Sequence, residues 1–153
     1  SFWILAAAGS PAQAPAGKPR SERLADIRIL LVEDEAVNQL VAFALLKRIG
    51  YKADLAENGG EAMDAISRKQ YDVVLLDRQL PDMDGVDVAR WIRTSKTPHP
   101  IVIAVSASTH PEEIASFRAA GIDDFVSKPI DLDALSEALL RASRTRGQNA
   151  VEN

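Results

Sequence analysis

The chain has no cysteine, which excludes disulfides, thiol catalysis and cysteine-ligated metal at once. Its two histidines, His99 and His110, are too few for a histidine-based zinc site. Basic residues are in the minority, 18 against 22 acidic, and a net charge of −4 argues against a domain that lives on phosphate backbones. No direct contact with nucleic acid is therefore expected. The apolar opening, Ser1 to Ala8, is far short of the roughly 20 apolar residues that cross a bilayer, so no membrane contact is expected of this fragment. As a signal-peptide remnant the same segment lacks the basic start. What remains is 153 residues, 46% apolar and 26% charged, the mix and length of one globular domain. Any cation it binds is expected to be held by oxygen.

Residues 11–20, PAQAPAGKPR, have no period and read as a linker. From Ile27 the chain alternates between two kinds of segment. Ile27 to Val32 is a nearly continuous aliphatic run, as in a strand buried on both faces. Val37, Leu40, Val41, Ala44, Leu45 and Ile49 follow at helical spacing, and Gly50 stands where a helix C-cap belongs. Ala53 to Ala56 predicts a short strand, and Ala62, Met63 and Ile66 a weaker helix. Val73 to Leu76 predicts a strand ended by Asp77, with a turn over Leu80 to Gly85 and a helix over 86–94 after it. Ile101 to Val105 predicts the next strand, and Ile114, Phe117 and Ala120 a helix closed by Gly121. A last strand, Asp124 to Ser127, precedes a helix carrying Leu132, Leu135, Leu139 and Ala142. Five β-α units in about 120 residues predict an open parallel sheet with helices on both faces. In such sheets ligands bind beyond the carboxyl ends of the strands.

Those ends carry a consistent set. Glu33 and Asp34 follow the first expected strand, Asp77 the third, Ser106 the fourth and Lys128 the fifth. Any one of them alone reads as a solvated loop residue; five at one sheet edge do not. Carboxylates about 4 Å apart repel by roughly 4 kcal/mol at an effective dielectric near 20, so one takes a proton or a cation sits among them. An all-oxygen site with few protein ligands suits Mg²⁺, which shares substrate phosphates. Lys128 offers a point charge and Ser106 a hydroxyl to phosphoryl oxygens. The set reads as a phosphoryl-transfer site with Asp77, central in the sheet, as candidate nucleophile.

The segments V-E-D-E-x-x-N at 32–38, LLDRQLPDMDG at 75–85, IAVSAS at 103–108 and DDFVSKPI at 123–130 resemble the response-regulator receiver family, over residues 26–145. The resemblance implies an α/β fold, a flavodoxin-like (βα)5 doubly wound parallel sheet with strand order 2-1-3-4-5. It implies that Asp77 accepts a phosphoryl group from phosphohistidine, with Lys128 and Ser106 as partners in the chemistry. Mg²⁺ would be held by Glu33, Asp34, Asp77 and the backbone carbonyl of Gln79. Ser106 and Phe125 would form the conformational switch, Pro129 would follow a cis bond, and Gly85 with Pro81 would shape the loop beside Asp77. Phe125 reads equally as plain core packing, and Pro129 as a turn at a strand end. Ser106 replaces the commoner Thr, and Arg78 stands where related domains often carry an apolar residue, either to gate Asp77 or to pair with an acidic loop residue. The implied partners are a histidine kinase core or a histidine-phosphotransfer domain, with the start of the first helix, Val37, Leu40 and Val41, as their docking face.

The motifs look most like receivers fused to sensor histidine kinases. Residues 1–5 resemble the end of a kinase ATP-binding domain, 6–25 form the linker and 146–153 a polar tail, so a hybrid kinase is the expected parent. The expected location is cytoplasmic, and the domain itself is expected to catalyse no more than its own phosphoryl transfer and dephosphorylation. A phosphatase of the haloacid dehalogenase type needs an acid two residues after the nucleophile, where Gln79 stands. A flavodoxin-like nucleotide binder needs a glycine-rich loop that the first strand lacks. The alternative kept open is a receiver-like interaction module that works without phosphate.

Overall fold

Runs of four to six aliphatic residues are buried in full only where both faces of a strand are covered. The computed structural model describes residues 27–95, 99–107 and 110–152, and side chains as far as Thr145. The expected kinase remnant and linker lie outside the described residues. The elements run β1 (Ile29–Val32), α1 (Ala36–Ile49), β2 (Ala53–Ala56), α2 (Gly59–Arg68), β3 (Val73–Asp77), α3 (Gly85–Ser95), β4 (Ile101–Ser106), α4 (Pro111–Ala119), β5 (Asp124–Ser127) and α5 (Leu132–Glu152). The strands form one parallel sheet in the order β2-β1-β3-β4-β5, the flavodoxin-like order expected.

Alternate side chains of the strands supply two cores. Leu30, Val32, Val74, Leu76, Val102 and Ala104 face Ala62, Ile66, Val88, Ala89, Ile92 and Phe117 of α2, α3 and α4. Ile29, Leu31, Val73, Leu75, Ile103 and Val126 face Ala42 and Leu46 of α1 and Leu135, Ala138, Leu139 and Ala142 of α5. Each fully buried aliphatic side chain contributes about 1.5–3 kcal/mol, which makes β3, buried at all five positions, the keel of the sheet.

Local chemistry sets the element ends. The N–H groups of Gly50 and Tyr51 donate back to the last turn of α1, with Gly50 left-handed at φ 109°. Asn58 caps α2 by accepting from the Glu61 N–H at 2.8 Å. Pro111 begins α4, where its missing N–H costs nothing.

Three details differ from the sequence expectation. β1 begins at Ile29 rather than Ile27, because Arg28 pairs with the turn before β3: its N–H donates to Asp72 and its carbonyl accepts from the Asp72 and Val73 N–H groups. The face of α1 on the sheet is Ala42 and Leu46, with Phe43, Leu45 and Ile49 at its margin. Val37, Leu40, Val41 and Ala44 face solvent. Helix α5 also continues past 145 to Glu152, through the segment read as a tail.

Candidate functional site at the carboxyl ends of the strands

Strand register assembles the site. Val32 lies opposite Leu76, so the next residues, Glu33 and Asp77, emerge side by side. Asp77 lies opposite Val105, which places Ser106 one step beyond, and Ser106 lies opposite Ser127, which brings Lys128 to the same edge. The chain reverses its direction of strand addition between β1 and β3, the switch point at which such sheets bind ligands.

Glu33, Asp77 and Ser106 are the buried polar residues among those described. One carboxylate oxygen from each of Glu33, Asp34 and Asp77 lies within 4.8 Å of the others. Lys128 Nζ donates to Asp77 Oδ1 at 3.0 Å and sits 3.9 Å from Glu33 Oε1. The Gln79 N–H donates to the same Asp77 oxygen at 3.1 Å, and the Glu35 N–H to Glu33 Oε2 at 3.1 Å. Burial first, then the neighbouring Asp77 charge, pushes the Glu33 carboxyl above the usual carboxylate range, against the opposing pull of the Glu35 N–H and Lys128. One ammonium thus faces three carboxylates, two of them dry. That excess of hard oxygen donors fits a small divalent cation.

All five residues expected from the strand ends come together. A cavity of about 200 Å³ on the β4 side is lined by Asp77, Arg78, Gln79, Ser106, Ala107, Glu113 and Lys128. A second, of about 440 Å³, opens toward β1 between Asp34, Asn38, Asp77, Gln79 and Pro81. Gln79 borders both. Phe125 is half buried and stacks on Phe117 with ring centroids 5.6 Å apart. The Lys128–Pro129 bond is cis. The backbone of Gly85 packs so closely that a Cβ there would lie 2.5 Å from the Asp77 carbonyl oxygen. His99 and His110 stand outside both cavities.

Several contributors carry no local sequence signal. Gln39 Nε2 donates to the Glu33 carbonyl at 2.8 Å, fixing the acidic turn to α1. Asp82 accepts from the Gly59 and Gly60 N–H groups at 2.8 and 2.9 Å, which ties the loop after Asp77 to the start of α2 and lowers the Asp82 carboxyl below its usual range. Arg78 is ion-paired with Glu113, in the first turn of α4, and lies 3.7 Å from Asp84. Nothing in the sequence points to Asp82 as a companion of the Asn58 cap at the start of α2. A further cavity, about 170 Å³ at the amino edge of the sheet, is lined in part by Lys69, Tyr71 and Asp54. There Lys69 and Tyr71 both bond Asp54, which gives the group a structural task.

The family model described as "Response regulator receiver domain" matches residues 29–140. The chain belongs to the response-regulator receiver family. It is a receiver domain of a two-component system, with the family's acidic cluster at its sheet edge. The rice two-component response regulator ORR41 is 44% identical over 119 residues, which cover 75% of this receiver and 93% of that protein. A probable histidine kinase 1, also from rice, is 33% identical over 145 residues, but the match covers 73% of this chain and only 15% of the kinase. Among solved structures, the receiver domain of the sensor histidine kinase PA1611 from Pseudomonas aeruginosa PAO1, with magnesium in its active-site cleft, is 34% identical with a TM-score of 0.71. That match covers 78% of this chain and 98% of the other. The receiver domain of Ssk1 from Saccharomyces cerevisiae, solved with the histidine phosphotransfer protein Ypd1, appears in a match at 26% identity and TM-score 0.73, covering 78% and 90%.

Proposed function

We propose that this receiver accepts a phosphoryl group from a phosphohistidine onto Asp77 and changes conformation in response. The observation that carries the reading is the Asp77 carboxylate, buried and held on one oxygen by both Lys128 Nζ and the Gln79 N–H. With Oδ1 so engaged, Oδ2 is the oxygen assigned to attack. An oxygen–phosphorus bond forms at Asp77 as the nitrogen–phosphorus bond of the donor breaks, and the imidazole leaves with the electron pair and takes up a proton. Lys128 offsets charge on the phosphoryl oxygens, and the Ser106 hydroxyl, lining the same cavity, donates to one of them. Glu33, Asp34 and Asp77, with the Gln79 carbonyl, would hold Mg²⁺, which supplies positive charge to the group in transfer. The magnesium-bearing receiver of the PA1611 kinase supports that assignment.

Once Ser106 and Lys128 are drawn toward the phosphoryl group, β4 and the end of β5 move with them, because the Lys128 N–H is bonded to the Ser106 carbonyl at 2.9 Å. Phe125, three residues before Lys128 and paired in parallel with Ala104, is placed to follow. The partner is a histidine kinase core or a histidine-phosphotransfer domain, as the complex of Ssk1 with Ypd1 suggests by likeness. Val37, Leu40 and Val41, apolar yet 69%, 71% and 42% exposed beside the site, form the docking face. The parent is a hybrid histidine kinase working at the cytoplasmic side, a reading supported by the matches to segments of several kinases. Incubation with acetyl phosphate, followed by intact mass, tests the chemistry. One phosphoryl group is expected with Mg²⁺, none with EDTA and none on Asp77→Ala. Labelling that survives Asp77→Ala would reassign the acceptor, and failure with both acetyl phosphate and a phosphorylated kinase would favour a phosphate-independent interaction module.

A further inference from the structure

Arg78 follows the acceptor directly, and its guanidinium is held from three directions. It is ion-paired with Glu113, lies 3.7 Å from Asp84, and stands over the Phe117 ring at 5.6 Å from the centroid. Glu113 and Phe117 are four residues apart on α4, so they present one face to Arg78. Asp84 is the looser of the two carboxylates, because at 3.7 Å it lies beyond hydrogen-bond distance whereas Glu113 is bonded directly. Arg78 and Glu113 also line the cavity that contains Asp77, Ser106 and Lys128, and both are far more open to solvent than the acceptor itself. Their side chains are 33% and 26% exposed, against 4% for Asp77. The pair therefore stands at the mouth of the acceptor cavity and is neutral as long as it is closed. A phosphodonor carries negative charge into that mouth. It meets a guanidinium already committed to a carboxylate.

We propose that Arg78 is a specificity-determining residue for phosphodonors, withheld by Glu113 at the mouth of the acceptor cavity and able to engage the donor's phosphoryl oxygens once that tie is broken. The inference rests on Asp77 being the phosphoacceptor. Released from Glu113, the guanidinium keeps its seat over Phe117, beside the cavity, and the donors that had faced Glu113 become available to a phosphoryl group. Removing Arg78 instead takes a cation from beside the Glu113 carboxylate, whose negative charge on the cavity wall then repels the same donor. The two partners of one ion pair thus have opposite effects on the reaction, whereas a bond that only braced α4 would give the same effect whichever partner was lost.

The experiment is a double-mutant cycle on the whole chain with acetyl phosphate and Mg²⁺. The reaction joins an Asp77 oxygen to phosphorus as the phosphorus–oxygen bond to acetate breaks and acetate departs with the electron pair. Initial rates are read by intact mass, with thermal unfolding recorded for each variant. E113Q is expected to label about two- to fivefold faster than the parent chain, R78Q about two- to fivefold slower, and R78Q/E113Q close to the parent, the range set by one partly exposed ion pair. Both side chains are partly exposed, so glutamine leaves no buried void at either position. A shift of the same sign in both single variants overturns the proposal and makes the pair a structural brace. A double variant as fast as E113Q also overturns it, because Glu113 would then act without Arg78. If the parent chain labels and all four rates agree, the proposal fails while the phosphoacceptor reading stands. If no form labels with acetyl phosphate or a phosphorylated kinase, both fail together.

Discussion

Replacing Gly85 by alanine adds one methyl group at the tightest point of the loop beside the acceptor. The new Cβ would lie 2.5 Å from the Asp77 carbonyl oxygen, 2.9 Å from Arg78 Cα and 3.2 Å from the Arg78 carbonyl oxygen. Ordinary contact begins at 3.4 Å, so the first of these must open by about 0.9 Å (3.4 less 2.5). All three are backbone atoms, and no side chain can rotate to make room. The Gly85 N–H is at the same time bonded to the Arg78 carbonyl at 2.7 Å, so the two segments cannot part without straining that bond. Overpacking of this kind costs about 1–3 kcal/mol. Alanine's preference for a helix recovers at most about 1 kcal/mol, and less at the first residue of α3. The expected net loss is about 1–2 kcal/mol, or a fall in Tm of roughly 4–8 °C for a domain of this size. Urea unfolding followed by circular dichroism measures it. Because the displaced atoms belong to Asp77 and Arg78, labelling by acetyl phosphate should also slow. Gly50→Ala is the control: φ there is +109° with nothing within 4 Å, so the cost is backbone strain alone, about 1–2 kcal/mol. Gly50 joins α1 to β2 at the amino edge of the sheet, away from the site, so its variant should lose stability and keep the labelling rate of the folded protein. The reasoning is refuted if Gly85→Ala is as stable as the parent, or if it labels as fast as Gly50→Ala.

Mg²⁺ at about a hundredfold excess over its Kd should stabilise the domain by about 2.7 kcal/mol, seen as a higher Tm. Asp34→Asn, at an exposed position, should leave the metal-free Tm nearly unchanged and reduce the Mg²⁺ shift; an undiminished shift would remove Asp34 from the ligand set. Tyr71→Phe deletes the 2.6 Å bond to Asp54 and should cost about 0.5–1.5 kcal/mol near neutral pH. Lys69 and Tyr71 hold the Asp54 carboxyl below its usual range, so its contribution is present above the ordinary Asp pKa and lost as pH falls through the lower folded value. The penalty of Tyr71→Phe should therefore narrow in acid, and a difference independent of pH would falsify the assignment. Leu139→Ala, at a buried position of α5, should lose about 2–5 kcal/mol by urea unfolding, a smaller loss meaning that this side of the core collapses around the gap.

The sequence alone determined the alternation of strands and helices and the polar residues at the strand ends. A strand buried on both faces must be an unbroken apolar run, so its first polar neighbour marks the sheet edge. That rule singles out Glu33, Asp77 and Ser106, Lys128 follows Ser127 at the end of the last strand, and the motifs around them lead to the family. Tertiary structure decided what depends on which segment lies across from which. Helix α1 is apolar on more than one side, and only packing against the sheet and α5 selects Ala42 and Leu46 for burial and leaves Val37 and Leu40 exposed. Where β1 begins depends on Asp72, which lies 44 residues beyond Arg28. Asp82 reaches back across 23 residues to the start of α2, and Arg78 across 35 to Glu113. Each is a charged residue that reads locally as solvated surface. Its partner is chosen by the crossing of the chain, and no local periodicity records that.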